Sequence, residues 1–242
     1  MGRPIGVDLF AGAGGMSLGF EQAGFDVAAA VEIDPVHCAA HKFNFPQTAV
    51  ISRSVERMSG REIRLAAGLG TRPVDCVFGG APCQGFSLIG HRVLDDPRNC
   101  LVLEFVRIVS ELDARTFVFE NVKGLTLGHH KQFLNELVAA FDAKGYQVRL
   151  PWRVLNAGNF GTPQSRERLI LFGAKKGEVL PDYPAAITAI RPAAWAAMRA
   201  AMGAPCGSAM GRSVSTLPSE TWIYWMLAAI RWSSRLRLSV MP

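Results

Sequence analysis

The first 34 residues constrain the fold more than any other part of this chain. Ile5 to Phe10 is an apolar run of strand length, and Gly12-Ala13-Gly14-Gly15 follows it at once. Met16 to Ala23 then has helical character and is closed by Gly24, a residue suited to ending a helix. A second strand, Val27 to Val31, ends on Glu32. A strand, a glycine turn, a helix and a second strand make the opening unit of a parallel sheet covered by helices. Glycines at such a turn let backbone approach a ligand closely, beside the unpaired N–H groups of a helix start. A carboxylate at the end of the next strand can accept hydrogen bonds from ribose hydroxyls. A tight turn uses glycine for steric reasons alone, and Glu32 alone reads as a solvated strand end. Together they point to an adenosine cofactor.

The alternation continues. Pro35 to Asn44 is expected as a helix with its proline near the start. Further strands are expected at Val74 to Phe78, Thr116 to Phe119, Gln147 to Leu155 and Leu169 to Phe172. Helices are expected at Leu101 to Leu112 and Gln132 to Lys144. The fold class is α/β, a doubly wound, mostly parallel sheet. A catalytic and cofactor-binding domain is expected over 1–184, and 185–242 is set apart as an atypical tail, truncated, frame-shifted or disordered. Lysine is absent from that tail, Glu220 is its one acid, and four of the five tryptophans crowd into it. Ala194 to Ala204 could be helical.

The chain has 242 residues and a net charge of +6. That balance favours an acidic partner, nucleic acid being the commonest, although a basic soluble protein would show the same figure. Five cysteines without a CxxC pair argue against a disulfide framework or a zinc ribbon and for a reducing, cytoplasmic compartment. No signal peptide is expected ahead of the first strand. The apolar stretch from Trp222 to Trp232 is too short for a membrane span. No metal is expected: His37, Cys38 and His41 fit helix packing better than a ligand set, and His129-His130 fits a loop.

Gly79-Gly80-Ala81-Pro82-Cys83-Gln84-Gly85-Phe86-Ser87 carries the reactive candidate. Cys83 follows a proline in a small-residue turn that leaves the apolar run Cys76-Val77-Phe78. Most lone cysteines are inert, and a reactive one needs an electropositive, partly exposed setting. Residues so poor in packing surface make this loop an improbable piece of core.

With those residues in hand, the chain resembles the DNA (cytosine-5)-methyltransferases of the bacterial modification type. Asp8 to Gly15 resembles their first motif, which holds the methionine part of S-adenosylmethionine, and Val31-Glu32-Ile33-Asp34 the second, which holds the ribose. Pro82-Cys83-Gln84 resembles the nucleophile loop. Pro97-Arg98-Asn99 with Leu101 resembles the motif lining the cofactor pocket. Glu120-Asn121-Val122 resembles the motif whose glutamate contacts the base. Gln164-Ser165-Arg166-Glu167-Arg168 resembles the one whose second arginine reaches cytosine O2 and whose first lies near phosphate. The resemblance covers about residues 5 to 175, with motif order kept.

It implies catalysis by Cys83, Glu120, Arg168 and Arg166. It implies an S-adenosylmethionine site made from Phe10, Gly12, Gly14, Glu32, Ile33, Pro82 and Leu101. The implied partner is double-stranded DNA, with the base flipped out to reach Cys83 and Arg92, Arg98 and Arg166 on phosphates. His91 and Arg92 could belong to a segment that closes on DNA. A cognate restriction endonuclease is a further implied partner, and no membrane is.

The resemblance has gaps. The recognition region and the two late motifs are not found, and Ser54 stands where the family has an aspartate near the adenine amino group; Asp75 or a backbone carbonyl is the expected substitute. An active enzyme with a reduced recognition region, one subunit of a split enzyme completed by a partner bearing the late motifs, and an inactive remnant that binds DNA or cofactor stay open. An RNA cytosine methyltransferase is a further alternative, disfavoured by the absence of a Cys-Phe-Thr tripeptide. Taken singly, Glu120 could pair with Lys123, and the two arginines could form a solvated basic face.

Overall fold

A computed structural model describes residues 2–82, 100–126, 130–160, 162 and 164–187. Cys83, Arg92, Arg98, His129 and the whole tail beyond 187 lie outside them.

The chain runs β1 (Ile5–Leu9), α1 (Gly15–Gln22), β2 (Asp26–Glu32), α2 (Pro35–Asn44), β3 (Ala49–Ser52), α3 (Gly60–Ala66) and β4 (Cys76–Gly79). It continues with α4 (Cys100–Glu111), β5 (Thr116–Val122), α5 (His130–Ala143), β6 (Tyr146–Val148), β7 (Arg153–Asn156) and β8 (Glu167–Lys175). The strands form one sheet in the order β3-β2-β1-β4-β5-β8-β6, with β7 also on β8. The first five are mutually parallel. β8 runs antiparallel to β5, β6 and β7. The expected doubly wound architecture is therefore present.

Both faces are buried, as a parallel sheet requires. One core gathers Phe105, Phe117, Phe119 and Phe141 around α4, α5 and their side of the sheet. Phe117 and Phe141 stack there at 3.9 Å between centroids. The other gathers Met16, Phe20, Phe78, Val118, Phe160 and Phe172, with Phe20 stacked on Phe78 at 3.6 Å. Burying each such ring contributes about 1.5–3 kcal/mol.

Two expected features differ. Gln147 to Leu155 is two strands, because Pro151 falls between them and a proline cannot donate to a ladder. β3 and α3 were not expected. α3 starts with a capping box in which Ser59 and Glu62 satisfy each other's backbone N–H groups, a signature present in the sequence as Ser59-Gly60-Arg61-Glu62.

The sheet order reverses direction between β1 and β4. Ligands of doubly wound folds bind outside the strand C-termini at such a point. Leu9 lies opposite Gly79 in the ladder, so the glycine turn after β1 and the loop after β4 leave the sheet side by side. A side chain at Gly79 would meet the Leu9 carbonyl at 2.0 Å.

Candidate active site

Two carboxylates stand at the C-terminal edge of the sheet. The first is Glu32, at the end of β2. Its Oε2 accepts the Gly12 N–H at 2.8 Å, and its Oε1 accepts the N–H groups of Ile33 and Asp34, each at 2.8 Å. A carboxylate offers about four acceptor positions. Three hold backbone, which leaves one for a ligand hydroxyl rather than room for two ribose hydroxyls in this arrangement. Glu32 thereby ties the glycine turn to the start of α2, whose cap is the neighbouring Asp34.

The turn itself is tightly constrained. Phe10 and Gly12 adopt positive φ of 59° and 53°, and Phe10 does so as a non-glycine residue, which is uncommon. Gly14 caps α1 at φ 98° with no side-chain cap. Any Cβ on Gly14 would meet the Phe45 ring at 2.2 Å. Beneath the turn, buried Asp8 accepts the Ser17 hydroxyl at 2.7 Å, and that hydroxyl lies 3.4 Å from His41 Nε2. Burial pushes the His41 imidazole below its ordinary range, against the opposing effects of the Gly12 backbone and the Glu32 charge.

Ile33 is 67 % exposed beside this turn, while Phe10 and Leu101 are half-buried and Pro82 is exposed. Uncovered apolar surface next to a glycine turn and a carboxylate fits a nucleoside cofactor. Ser54 donates to Glu56 at 3.0 Å. Asp75 does not substitute for the missing aspartate. It accepts the Ile5 N–H and pairs with Arg115 at 3.2 Å, at the opposite, N-terminal edge of β1 and β4.

The second carboxylate is Glu120, near the end of β5. Val122 lies opposite Arg168 in the antiparallel ladder. Glu120 and Arg168 therefore share one face on a diagonal, within reach of long side chains. Arg168 Nε pairs with Glu120 Oε1 at 3.0 Å, both side chains less than a fifth exposed. Burial pushes the Glu120 carboxyl above its ordinary range, and the charges of Arg168 and Arg166 only partly offset this. Lys123 does not take that place; it pairs with Glu167 at 2.8 Å. The two arginines bear on Glu120 instead of forming a solvated basic face.

Asn121 turns to the other face, 4 % exposed. Its Nδ2 donates to the Ala81 carbonyl at 2.9 Å, and its Oδ1 accepts the Val122 N–H at 2.8 Å. The stem that leads to Cys83 is thus fastened to β5 beside Glu120. Asn121 was visible within Glu120-Asn121-Val122, but nothing in the sequence assigned its amide a partner.

The described cysteines are poor rivals for a nucleophile. Burial pushes the Cys76 thiol up to about 12. Burial first, and then Glu56 at 3.2 Å, raise that of Cys100. Cys38 is buried and donates to the Glu32 carbonyl. His37 is exposed while His41 is buried, so the two histidines of α2 do not converge. Among the described residues no group of three potential ligands gathers for a metal, and no helix is long and apolar enough to cross a membrane.

A glycine turn with a carboxylate at the next strand end, and a buried acid held by arginine near a reversal of strand order, define a Rossmann-like methyltransferase architecture. The profile of the C-5 cytosine-specific DNA methylases matches residues 6–198, and the chain belongs to that family. It is 64 % identical over 184 residues to the type II methyltransferase M.XorII of Xanthomonas oryzae pv. oryzae, covering 76 % of this chain and 43 % of that protein. It is 41 % identical over 179 residues to M.AquIA of Picosynechococcus sp., covering 71 % of this chain and 72 % of that protein. Among solved structures, a prophage-encoded protein described as a DNA modification methyltransferase (E. coli) superposes with a TM-score of 0.61. That pair is 36 % identical, over 72 % of this chain and 47 % of the other. Spodoptera frugiperda DNMT2 gives 0.56 at 26 % identity, over 71 % of this chain and 50 % of the other. The chain spans less than half the length of M.XorII.

Proposed function

We propose that this chain carries the catalytic and cofactor-binding part of a DNA (cytosine-5)-methyltransferase, within residues 1–184. The supporting observation is the Glu120–Arg168 pair, buried beside a stem whose next residue is Cys83. Cys83 is assigned the nucleophile. Its thiolate adds to carbon 6 of a flipped-out cytosine and makes carbon 5 nucleophilic, so that one difficult step becomes several easier ones. Glu120, whose carboxyl burial favours in the protonated form, supplies or shares a proton at N3 as charge builds on the ring. Arg168 holds O2, and Arg166 adds positive charge near the same ring and the adjacent phosphate. Loss of the carbon 5 proton and expulsion of the thiolate complete the cycle.

S-adenosylmethionine is the proposed cofactor, and when bound it supplies the methyl group. Gly12 and Gly14 give it backbone to lie against. Glu32 offers its remaining acceptor position to the ribose, and Phe10, Ile33, Pro82 and Leu101 offer apolar surface. Double-stranded DNA is the proposed substrate.

A second reading, one subunit of a split enzyme completed by a partner with the late motifs, is favoured by the match to M.AquIA. There the shared segment covers 72 % of the relative's length, so a relative of about this chain's length exists.

The test is transfer of a labelled methyl group from S-adenosylmethionine to mixed-sequence DNA by the purified chain, with Cys83→Ala as control and RNA as competitor. Cysteine-dependent transfer to DNA supports the assignment. Transfer that survives Cys83→Ala, or that RNA suppresses by becoming the product, overturns it. Transfer that appears only when a protein carrying the late motifs is added selects the split form.

A further inference from the structure

Two adjacent glycines end β4, and they answer to different neighbours. A Cβ on Gly79 would strike backbone: the Leu9 carbonyl oxygen at 2.0 Å and its carbon at 2.9 Å. The sheet itself forbids a side chain there. A Cβ on Gly80 would meet Glu120 Oε2 at 2.7 Å, and its next neighbours are two more atoms of Glu120 at 3.7 Å. Gly80 is absent from the residues of positive φ, so its backbone conformation is open to an ordinary residue. It is also only half-buried. Neither backbone strain nor close packing of the fold explains glycine at this position. What a side chain would displace is one carboxylate.

We infer that Gly80 is a positioning residue for Glu120: by lacking a side chain it lets the carboxylate sit against β4 while its other oxygen pairs with Arg168. The inference rests on the base-contacting role proposed for Glu120. Ordinary van der Waals contact begins at 3.4 Å. An alanine at 80 therefore drives Oε2 away by about 0.7 Å, a misplacement that costs an aligned catalytic group roughly tenfold to a hundredfold in rate. The displaced atom is the far end of a side chain, so the fold tolerates the change. Gly80→Ala thus separates alignment of the acid from stability.

The experiment compares wild type, Gly80→Ala, Gly79→Ala, Glu120→Ala and the double variant Gly80→Ala/Glu120→Ala. The carboxyl of Glu120 is titrated by carbon-13 NMR of glutamate-labelled protein, its signal assigned by its loss in Glu120→Ala. Formation of the covalent adduct on DNA containing 5-fluorocytosine, S-adenosylmethionine affinity and thermal melting are measured alongside. Gly80→Ala should shift the Glu120 midpoint upward as the Arg168 pairing loosens. It should slow adduct formation about tenfold to a hundredfold, leave cofactor affinity within about twofold, and melt close to wild type, unlike Gly79→Ala. In the Glu120→Ala background the added alanine should change nothing, because the carboxylate it would strike is gone.

An unchanged midpoint in Gly80→Ala overturns the inference. So does a loss of stability that persists in the double variant. If wild type forms no adduct either alone or with a protein carrying the late motifs, the proposed function fails at that point, and the midpoint and the double variant still decide the role of Gly80.

Discussion

Glu32 and Glu120 are the same side chain at the same edge of one sheet, and their surroundings prepare them for opposite work. Glu32 accepts three backbone N–H groups from two segments. It ties the glycine turn to the start of α2. Glu120 receives one arginine, lies mostly buried, and is pushed toward its protonated form. The difference lies in what the strand ends supply. β2 leads straight into the start of α2, where free backbone donors are abundant. β5 ends against an antiparallel strand whose donors are committed to the ladder, and it is a side chain of that strand, Arg168, that pairs with Glu120. An acid that accepts several backbone donors serves as a tie between segments, and one that is buried beside arginine can exchange a proton.

The comparison can be broken most decisively at Glu120. Glu120→Gln cannot exchange a proton at N3, and methyl transfer should fall about 10²–10³-fold with cofactor affinity unchanged. Equal losses in both would mean that the two sites are not separate. Glu32→Ala should act the other way round. S-adenosylmethionine affinity should drop about tenfold to a hundredfold, since hydrogen bonds to a charged group contribute roughly 1.5–3 kcal/mol each, while the Glu120 carboxyl titrates as before. Isothermal calorimetry and the NMR titration check the two halves of that statement. Asn121→Ala leaves the Ala81 carbonyl without its amide donor. We expect a loss of about 1–2 kcal/mol in denaturant unfolding and a slower, not abolished, adduct reaction.

The smallest effect is in the pH dependence of stability, and it sharpens the contrast. The folded-state carboxyl of Glu120 lies above its unfolded value. Its contribution is therefore full below the ordinary carboxylate range and is lost as pH rises through the folded value. His41 is depressed, so its contribution is present above its unfolded value, near 6.5, and is lost as pH falls through the folded one. Melting curves of wild type, Glu120→Gln and His41→Gln across pH 4 to 8 should diverge in those two opposite directions. Parallel curves would remove the electrostatic account of both residues.

Much of this was legible in the residues. β1, α1, β2 and α2 follow from an apolar run, a glycine turn, a helical stretch and a proline near the helix start, all local signals. The candidate-site residues stand out in the sequence because their types are chemically demanding: a cysteine after proline, an acid at a strand end, two arginines alternating with other residues. β3 was not, because Ala49 to Ser52 is too short to show a period. α3 could have been found from Ser59 and Glu62. The pairing of Glu120 with Arg168 over Lys123 was out of reach, since it depends on the register of β8 against β5 and not on distance along the chain. Nor could the sequence show that Glu32 spends most of its acceptor capacity on backbone, or that Asp75, attractive by type, stands at the wrong edge of the sheet.

The position of β8 also bears on the order in which a working site can come into being. β8 pairs with β5 in the middle of the sheet, yet the ribosome makes it after α5, β6 and β7. A nascent chain released through α5 already owns the glycine turn, Glu32, Cys83 and Glu120, and still lacks Arg166 and Arg168. Under the proposed function, competence therefore arrives late in translation, with the segment that brings Arg166 and Arg168. Fragments that stop short of it are expected to be mute toward DNA even where their cofactor half has folded.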